Sequence, residues 1–194
     1  MTQGGGTGDV NGGPEGEVTI IVDGANVVGS RPDGWWRDRA GAAVRLHDNL
    51  AKLAERGHQG IPAGELAASE AAAGATSARG HTPAENGGLV PVTVLLVLEG
   101  AARAAAPRIA ERARAAGGTA AGGTGDTGGA ARDSAADGEV QVVSAPGSGD
   151  DEIVRLAQDR AGRCIVVTAD RELRRRCVAA GARVASPSWL YGLL

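Results

Sequence analysis

The stretch VTIIVDGANVVG, Val18 to Gly29, decides the architecture. Its opening residues, Val18 to Val22, are β-branched with no strict polar alternation, the pattern of a strand covered on both faces. Asp23-Gly24 ends the run in what reads as a sharp turn. A second run of the same kind, VTVLLVL from Val92 to Leu98, ends in Glu99-Gly100. Val140–Val143 and Cys164–Val167 supply a third and a fourth strand, and Arg183–Ala185 a weaker fifth. Helical spacing falls between them. Arg37–Arg56 sets Ala40, Val44, Leu46, Leu50 and Leu53 along one face, and Asp150–Ala161 does the same with Ile153, Leu156 and Ala157. Ala101–Ala116 is a helix interrupted by Pro107, and Asp170–Ala180 follows VVT with an acid at its start. The closing SPSWLYGLL reads as a short turn or helix packing Trp189 and Leu190. Strands alternating with helices predict an α/β fold with a mainly parallel sheet.

Composition agrees with that reading. With 194 residues and 42% hydrophobic content the chain suffices for one packed domain. Aromatics are only 2%, without a single Phe, so the core must come from Val, Leu, Ile and Ala, which suits a sheet between helix layers. Gly- and Ala-rich composition marks residues 1–16 as a disordered tail and 57–89 and 117–138 as flexible insertions. The middle segment also holds GELAASEAAAGA, rich enough in Ala and Glu for a short helix. The expected organisation is therefore a tail followed by one domain over 17–194. A formal net charge of −3 excludes a polycationic coat but leaves room for a local basic groove. Cys164 and Cys177 form no CxxC pair, and with the 3 histidines they make no zinc spacing. No run approaches the ~18 apolar residues of a membrane span, and Met1–Gly16 lacks the charge and apolar core of a signal peptide. A cytoplasmic protein with no membrane contact is expected.

In open α/β sheets ligands bind beyond the carboxyl ends of the strands. Acids accumulate there: Asp23 after the first strand, Glu99 after the second, Asp150 and Asp151 in the loop after the third, and Asp170 just beyond the fourth. Each alone has an ordinary explanation, as a helix cap or, for Asp23, a turn former before glycine. Their joint arrival at one edge carries more weight. Converging carboxylates repel and raise one another's pKa unless cations neutralise them, and Mg2+ or Mn2+ suits such oxygen ligands. That chemistry fits hydrolysis of a phosphodiester with water as nucleophile.

Neighbouring residues are open to two readings each. Asn26 could fix a carboxylate, a metal-bound water or a phosphate, or cap a helix or turn. Thr168 could orient Asp170 or be a plain strand-end hydroxyl. Arg171, Arg174, Arg175 and Arg176 could hold RNA phosphates or form a solvated helix face. Trp35 and Trp36 could stack on an unpaired base or pack under their loop. His47 and His58 suggest no triad, and neither Ser30 nor Ser148 sits in a GxSxG elbow, which disfavours serine nucleophiles.

VTIIVDGANVVG, VLLVLEG, GSGDDEI and VVTADRELRRR, in this order, resemble the NYN domain of the PIN-like superfamily, in particular the YacP-like bacterial ribonucleases. The resemblance covers the first four strands and omits the Gly-rich insertions. It implies a three-layer α/β/α fold with sheet order 3-2-1-4-5 and a metal-dependent endoribonuclease acting on RNA. It assigns catalysis to Asp23, Glu99, Asp150 and Asp170, although Glu99 stands where the family often has Asp. Metal falls to Asp23, Asp150 with its neighbour Asp151, and Asp170. Substrate contacts fall to Asn26, Arg171, Arg174 and Arg175. RNA is the implied partner, with ribosome association left open. The alternative is a noncatalytic PIN-like module binding RNA or protein, its acids serving as caps. Two other classes fit poorly. A haloacid-dehalogenase phosphohydrolase needs a second acid where Ala25 stands, and a dinucleotide-binding domain needs a GxGxxG that is missing.

Overall fold

In the computed structural model of the chain, which describes residues 17–66, 88–115 and 140–194, the VTIIV run becomes the central strand of a sheet. Along the chain, β1 (Val18–Asp23) passes into α1 (Gly24–Gly29), and a 3-10 turn (Trp35–Arg37) leads to α2 (Arg39–His58). β2 (Ile61–Pro62) and β3 (Leu89–Val90) precede β4 (Val92–Leu98), and a second 3-10 turn (Gly100–Ala104) runs into α3 (Ala105–Ala115). Then follow β5 (Val140–Ser144), α4 (Gly149–Gln158), β6 (Cys164–Val167), α5 (Arg171–Ala179), β7 (Arg183–Ala185) and α6 (Pro187–Leu193).

The main sheet runs β5-β4-β1-β6-β7 with every neighbouring pair parallel. Counted among its own strands this is 3-2-1-4-5, the expected order. The labels shift because β2 and β3 form a separate antiparallel ribbon, pairing Ile61 with Val90 and Pro62 with Leu89. The first ribbon strand falls inside the segment expected to be flexible, 57–89, and the second straddles its end. At two residues each they are too short to show a period. The tail 1–16 and residues 67–87 and 116–139, including most of the two expected insertions, lie outside the described residues.

Alternation along the strands builds two cores. Ile20, Val22, Val94, Leu96, Leu98, Ile165 and Val167 pack with Leu46, Leu50 and Leu53 of α2, Ile109 of α3 and Leu190 of α6. Ile21, Leu95, Val97, Cys164 and Val166 pack on the opposite face with Ile153 and Leu156 of α4 and Leu173 and Cys177 of α5. The result is an α/β/α sandwich. Ile20, Ile21 and Val22 are each 0% exposed, and full burial of such a side chain contributes roughly 1.5–3 kcal/mol. A register slip would lose this on both faces, so β1 is pinned.

Element ends depart from expectation where a cap decides them. Asp38 accepts the Gly41 N–H at 2.8 Å, so α2 begins at Arg39 instead of Arg37, and it runs on to His58. Pro107 does not interrupt a helix. The chain is 3-10 as far as Ala104, and α3 begins at Ala105, which places Pro107 in the first turn where a missing N–H is tolerated. Asp23-Gly24 is not a turn either, since Asp23 caps α1 directly. The terminal SPSWLYGLL is a helix, capped by Ser186 with Pro187 at its first position and Leu190 fully buried. No helix among the described residues is long and apolar enough to cross a membrane.

Candidate active site

The parity of the strands decides which side chains meet. Asp23 continues the face of Ile21, Glu99 that of Leu95 and Val97, and Thr168 that of Cys164 and Val166, so all three belong to the α4/α5 side of the sheet. Helices α4 and α5 begin at the same edge and deliver Asp150 and Asp170 in their first turn and N-cap. Three strands and two helices therefore converge on one end of one sheet face.

Asp23 is the hub. It is 6% exposed, and both its oxygens are occupied: Oδ1 accepts the Asn26 backbone N–H at 3.0 Å and Oδ2 the Thr168 hydroxyl at 2.8 Å. Thr168, fully buried, also accepts the Asp170 N–H at 3.1 Å, so one hydroxyl ties the ends of β1 and α5 together. Asp170 Oδ1 in turn accepts the N–H groups of Glu172 and Leu173 at 2.7 and 2.8 Å. Glu99 Oε2 accepts the Gly149 N–H at 2.8 Å, bracing the start of α4 against β4. Two glycines make these approaches feasible. A Cβ on Gly24 would lie 2.7 Å from the Val97 carbonyl oxygen, and one on Gly149 would lie 2.6 Å from Glu99 Oε2.

The acids feel one another. Burial raises the Asp23 carboxyl above the ordinary Asp value, the Asn26 and Thr168 hydrogen bonds oppose it, and Asp150 and Glu99 add repulsion. Asp150 is raised too, first by desolvation and then by Asp170 and Glu99, with Arg176 pulling the other way. Among the described residues no three His, Cys, Asp or Glu side chains stand together as a metal cage. The donor set is nonetheless all carboxylate oxygen, and Mg2+ characteristically takes one or two carboxylates and keeps several waters. The residues fit that mode, and not a cage of three direct side-chain ligands.

The remaining sequence candidates are spread around this edge. The Asn26 backbone N–H donates to the capping carboxylate of Asp23, and Asn26 lines an open cleft with Gly29, Ser30 and Ala169. Asp151 is turned outward to an ion pair with Arg176. Arg171 is exposed, Arg174 half-buried, and Arg175 paired with Glu172. The tryptophans part company: Trp36 is 54% exposed, whereas Trp35 is half-buried and lines a small cleft that reaches Glu99. Ser30 donates to the Val27 carbonyl and Ser148 caps α4. Sequence reasoning missed Gly149, Arg39 beside Trp35, and Tyr191, whose hydroxyl donates to Val27 O at 3.1 Å and so braces α1 from the far end of the chain. For Tyr191 no local signal exists, because its partner lies 164 positions away.

A five-stranded parallel sheet in this order with helices on both faces makes a three-layer α/β/α fold, with acids gathered at the carboxyl edge of the sheet. No family model matches the chain, and no curated protein matches its sequence. Among solved structures it is similar to Rae1 (YacP) from Bacillus subtilis, in a mutant form, at TM-score 0.41 and 16% identity over 90% of this chain and 72% of that one.

Proposed function

We propose that the acidic edge is the active site of a cytoplasmic, metal-dependent endoribonuclease of the YacP-like kind, hydrolysing RNA with water as nucleophile. The observation that carries this reading is Asp23: a carboxylate buried to 6% exposure at the end of the central strand, faced by the charges of Asp150 and Glu99 and tied through Thr168 to Asp170. A cap alone has no need of such company, and crowding of this sort is the arrangement a divalent cation relieves. Asp23, Asp150 and Asp170 would hold Mg2+ or Mn2+, directly or through water, with Asp151 beside them. Such an ion lowers the pKa of bound water and stabilises a leaving oxygen. The chain's own residues do the positioning. Thr168 orients Asp23 and fixes the start of α5, and Glu99 sets the start of α4 through Gly149. Arg171, Arg174 and Arg175, on the helix that Asp170 caps, are the candidates to hold RNA phosphates, together with Asn26 in α1.

One observation favours the noncatalytic RNA-binding or protein-interaction module instead: Asp23 and Asp170 cap helices, and Asp151 pairs with Arg176, so these acids already have structural work. The test is cleavage of end-labelled single-stranded RNA in Mn2+, Mg2+ or EDTA by the natural chain, Asp23→Asn and Asp170→Asn, with folding checked by circular dichroism. Metal-dependent cuts lost in both folded variants support the nuclease. Tight RNA binding without cleavage, or cleavage indifferent to both substitutions, removes it.

A further inference from the structure

We propose that Arg31 is a contact for the phosphate backbone of RNA, held ready by the ring of Tyr191 where α1 ends; the inference rests on RNA being the ligand of the acidic edge. The Arg31 guanidinium carbon lies over the Tyr191 ring, 3.5 Å from its centroid, a close stacking contact. The ring is itself fixed. The Tyr191 hydroxyl donates to Val27 O at 3.1 Å, the same carbonyl that accepts the Ser30 hydroxyl at 2.7 Å. The Arg31 backbone N–H donates to Val28 O at 3.4 Å, so residue 31 and the ring beneath its side chain are both tied to the end of α1.

Other arginines of this chain are committed to protein groups. Arg112, Arg155, Arg175 and Arg176 pair with carboxylates, and Arg56 and Arg103 donate to backbone carbonyls. Arg31 is exposed and, among the described residues, makes no ion pair and donates no side-chain hydrogen bond. Stacking occupies the face of a guanidinium and leaves the N–H groups around its rim, the fork that matches a phosphate. Holding that fork in place beforehand lowers the entropy lost on binding. Position supplies the link to the acids. Ala25, Asn26, Gly29 and Ser30 share an open cleft with Ala169, the residue between Thr168 and Asp170. Ser30, four residues beyond Asn26, stands about 6 Å further along the α1 axis, and Arg31 follows it. That is of the order of the spacing of successive phosphates in a single strand, so a strand with one phosphate at the acids carries a neighbouring one to Arg31.

The test is fluorescence anisotropy of labelled oligoadenylate and oligouridylate against the full chain in EDTA, so that no cleavage intervenes, repeated across a series of salt concentrations. Arg31→Ala should weaken both oligomers alike, by about 5-fold at low salt, and make the plot of log affinity against log salt shallower by about 0.7, the share of one neutralised phosphate on a single strand. Arg31→Lys keeps the charge and should keep the slope. Tyr191→Leu should also keep the slope while losing affinity, because the charge remains but is no longer held, and Tyr191→Phe, which retains the ring, should restore most of that loss. Arg108→Ala, which removes an exposed charge on α3, should change neither quantity. The Arg31 variants alter an exposed side chain, so they carry the comparison should Tyr191→Leu fail to fold. An Arg31→Ala protein with the natural affinity and slope overturns the contact, and a loss with Arg171→Ala in the same series would leave the RNA reading intact. A loss confined to one oligomer overturns it as well, since a backbone contact ignores the base. Undiminished affinity in a folded Tyr191→Leu protein overturns the part given to the ring. A shallower slope for Arg31→Ala in a protein that never cuts RNA leaves the contact standing and refutes only the nuclease. Failure of both oligomers to bind refutes both.

Discussion

Replacing Thr168 by Val tests the tie at the centre of the site. The two side chains have nearly the same shape, and Thr168 is 0% exposed, so the substitution removes a hydroxyl without opening a cavity. Two hydrogen bonds go with it: the one donated to Asp23 Oδ2 and the one accepted from the Asp170 N–H. A bond to a charged acceptor contributes roughly 1.5–3 kcal/mol and an orphaned, partly buried N–H costs roughly 1 kcal/mol or more, giving a destabilisation of about 3 kcal/mol at neutral pH. Urea unfolding would read it as a lower midpoint with an unchanged slope. The deficit must also depend on pH. The folded Asp23 carboxyl already titrates above its ordinary value of 3.8, and the Thr168 bond is one of the influences holding it down. Without that bond it titrates higher still. At pH below the ordinary value the carboxyl is protonated both folded and unfolded, and the charged part of the loss is absent. As pH climbs through the raised folded value the loss grows to its full size. Thr168→Ser, which keeps the hydroxyl, should recover most of the stability. A Thr168→Val protein within about 0.5 kcal/mol of the natural chain, the range of an ordinary surface change, or a deficit that ignores pH, would refute the reasoning.

Gly24→Ala should destabilise by about 1–3 kcal/mol in the same assay, because its Cβ would press on the Val97 carbonyl oxygen at 2.7 Å; no loss would mean that α1 leaves β1 by another path. Burial pushes the Cys164 and Cys177 thiols up to about 11 and about 12, so neither should be alkylated by iodoacetamide at mildly alkaline pH until the chain is unfolded, and rapid native labelling would contradict their packing. Asp150→Asn should raise the melting temperature in metal-free buffer at neutral pH, since the charge at that position is unfavourable in the fold; the gain should fade on acidification and disappear in saturating Mg2+, where the natural chain gains by binding. A gain that persists in Mg2+ would mean that Asp150 takes no part in holding the ion.

The strands were legible because a strand covered on both faces needs an unbroken apolar run, and VTIIV, VTVLLVL and CIVV are such runs whatever surrounds them. Their order followed from the resemblance, and the acids could be placed at the carboxyl edge because each closes a run or opens a helix. Length set the limit: the ribbon of Ile61–Pro62 and Leu89–Val90 has too few residues to signal itself. Contact was the other limit. That Thr168 touches Asp23 across 145 positions, that Glu99 braces the start of α4 across 50, that Asp151 turns to Arg176 and that Trp35 walls a cleft while Trp36 faces out are decided in space. By itself the sequence determined the five strands of the main sheet, the longer helices and the edge that gathers the acids, because burial and capping act over a few neighbouring residues; the short ribbon and α1, read as a turn, escaped it. Only the tertiary structure decided which acids face one another, because that depends on the sheet face on which each strand ends and on where the next helix begins.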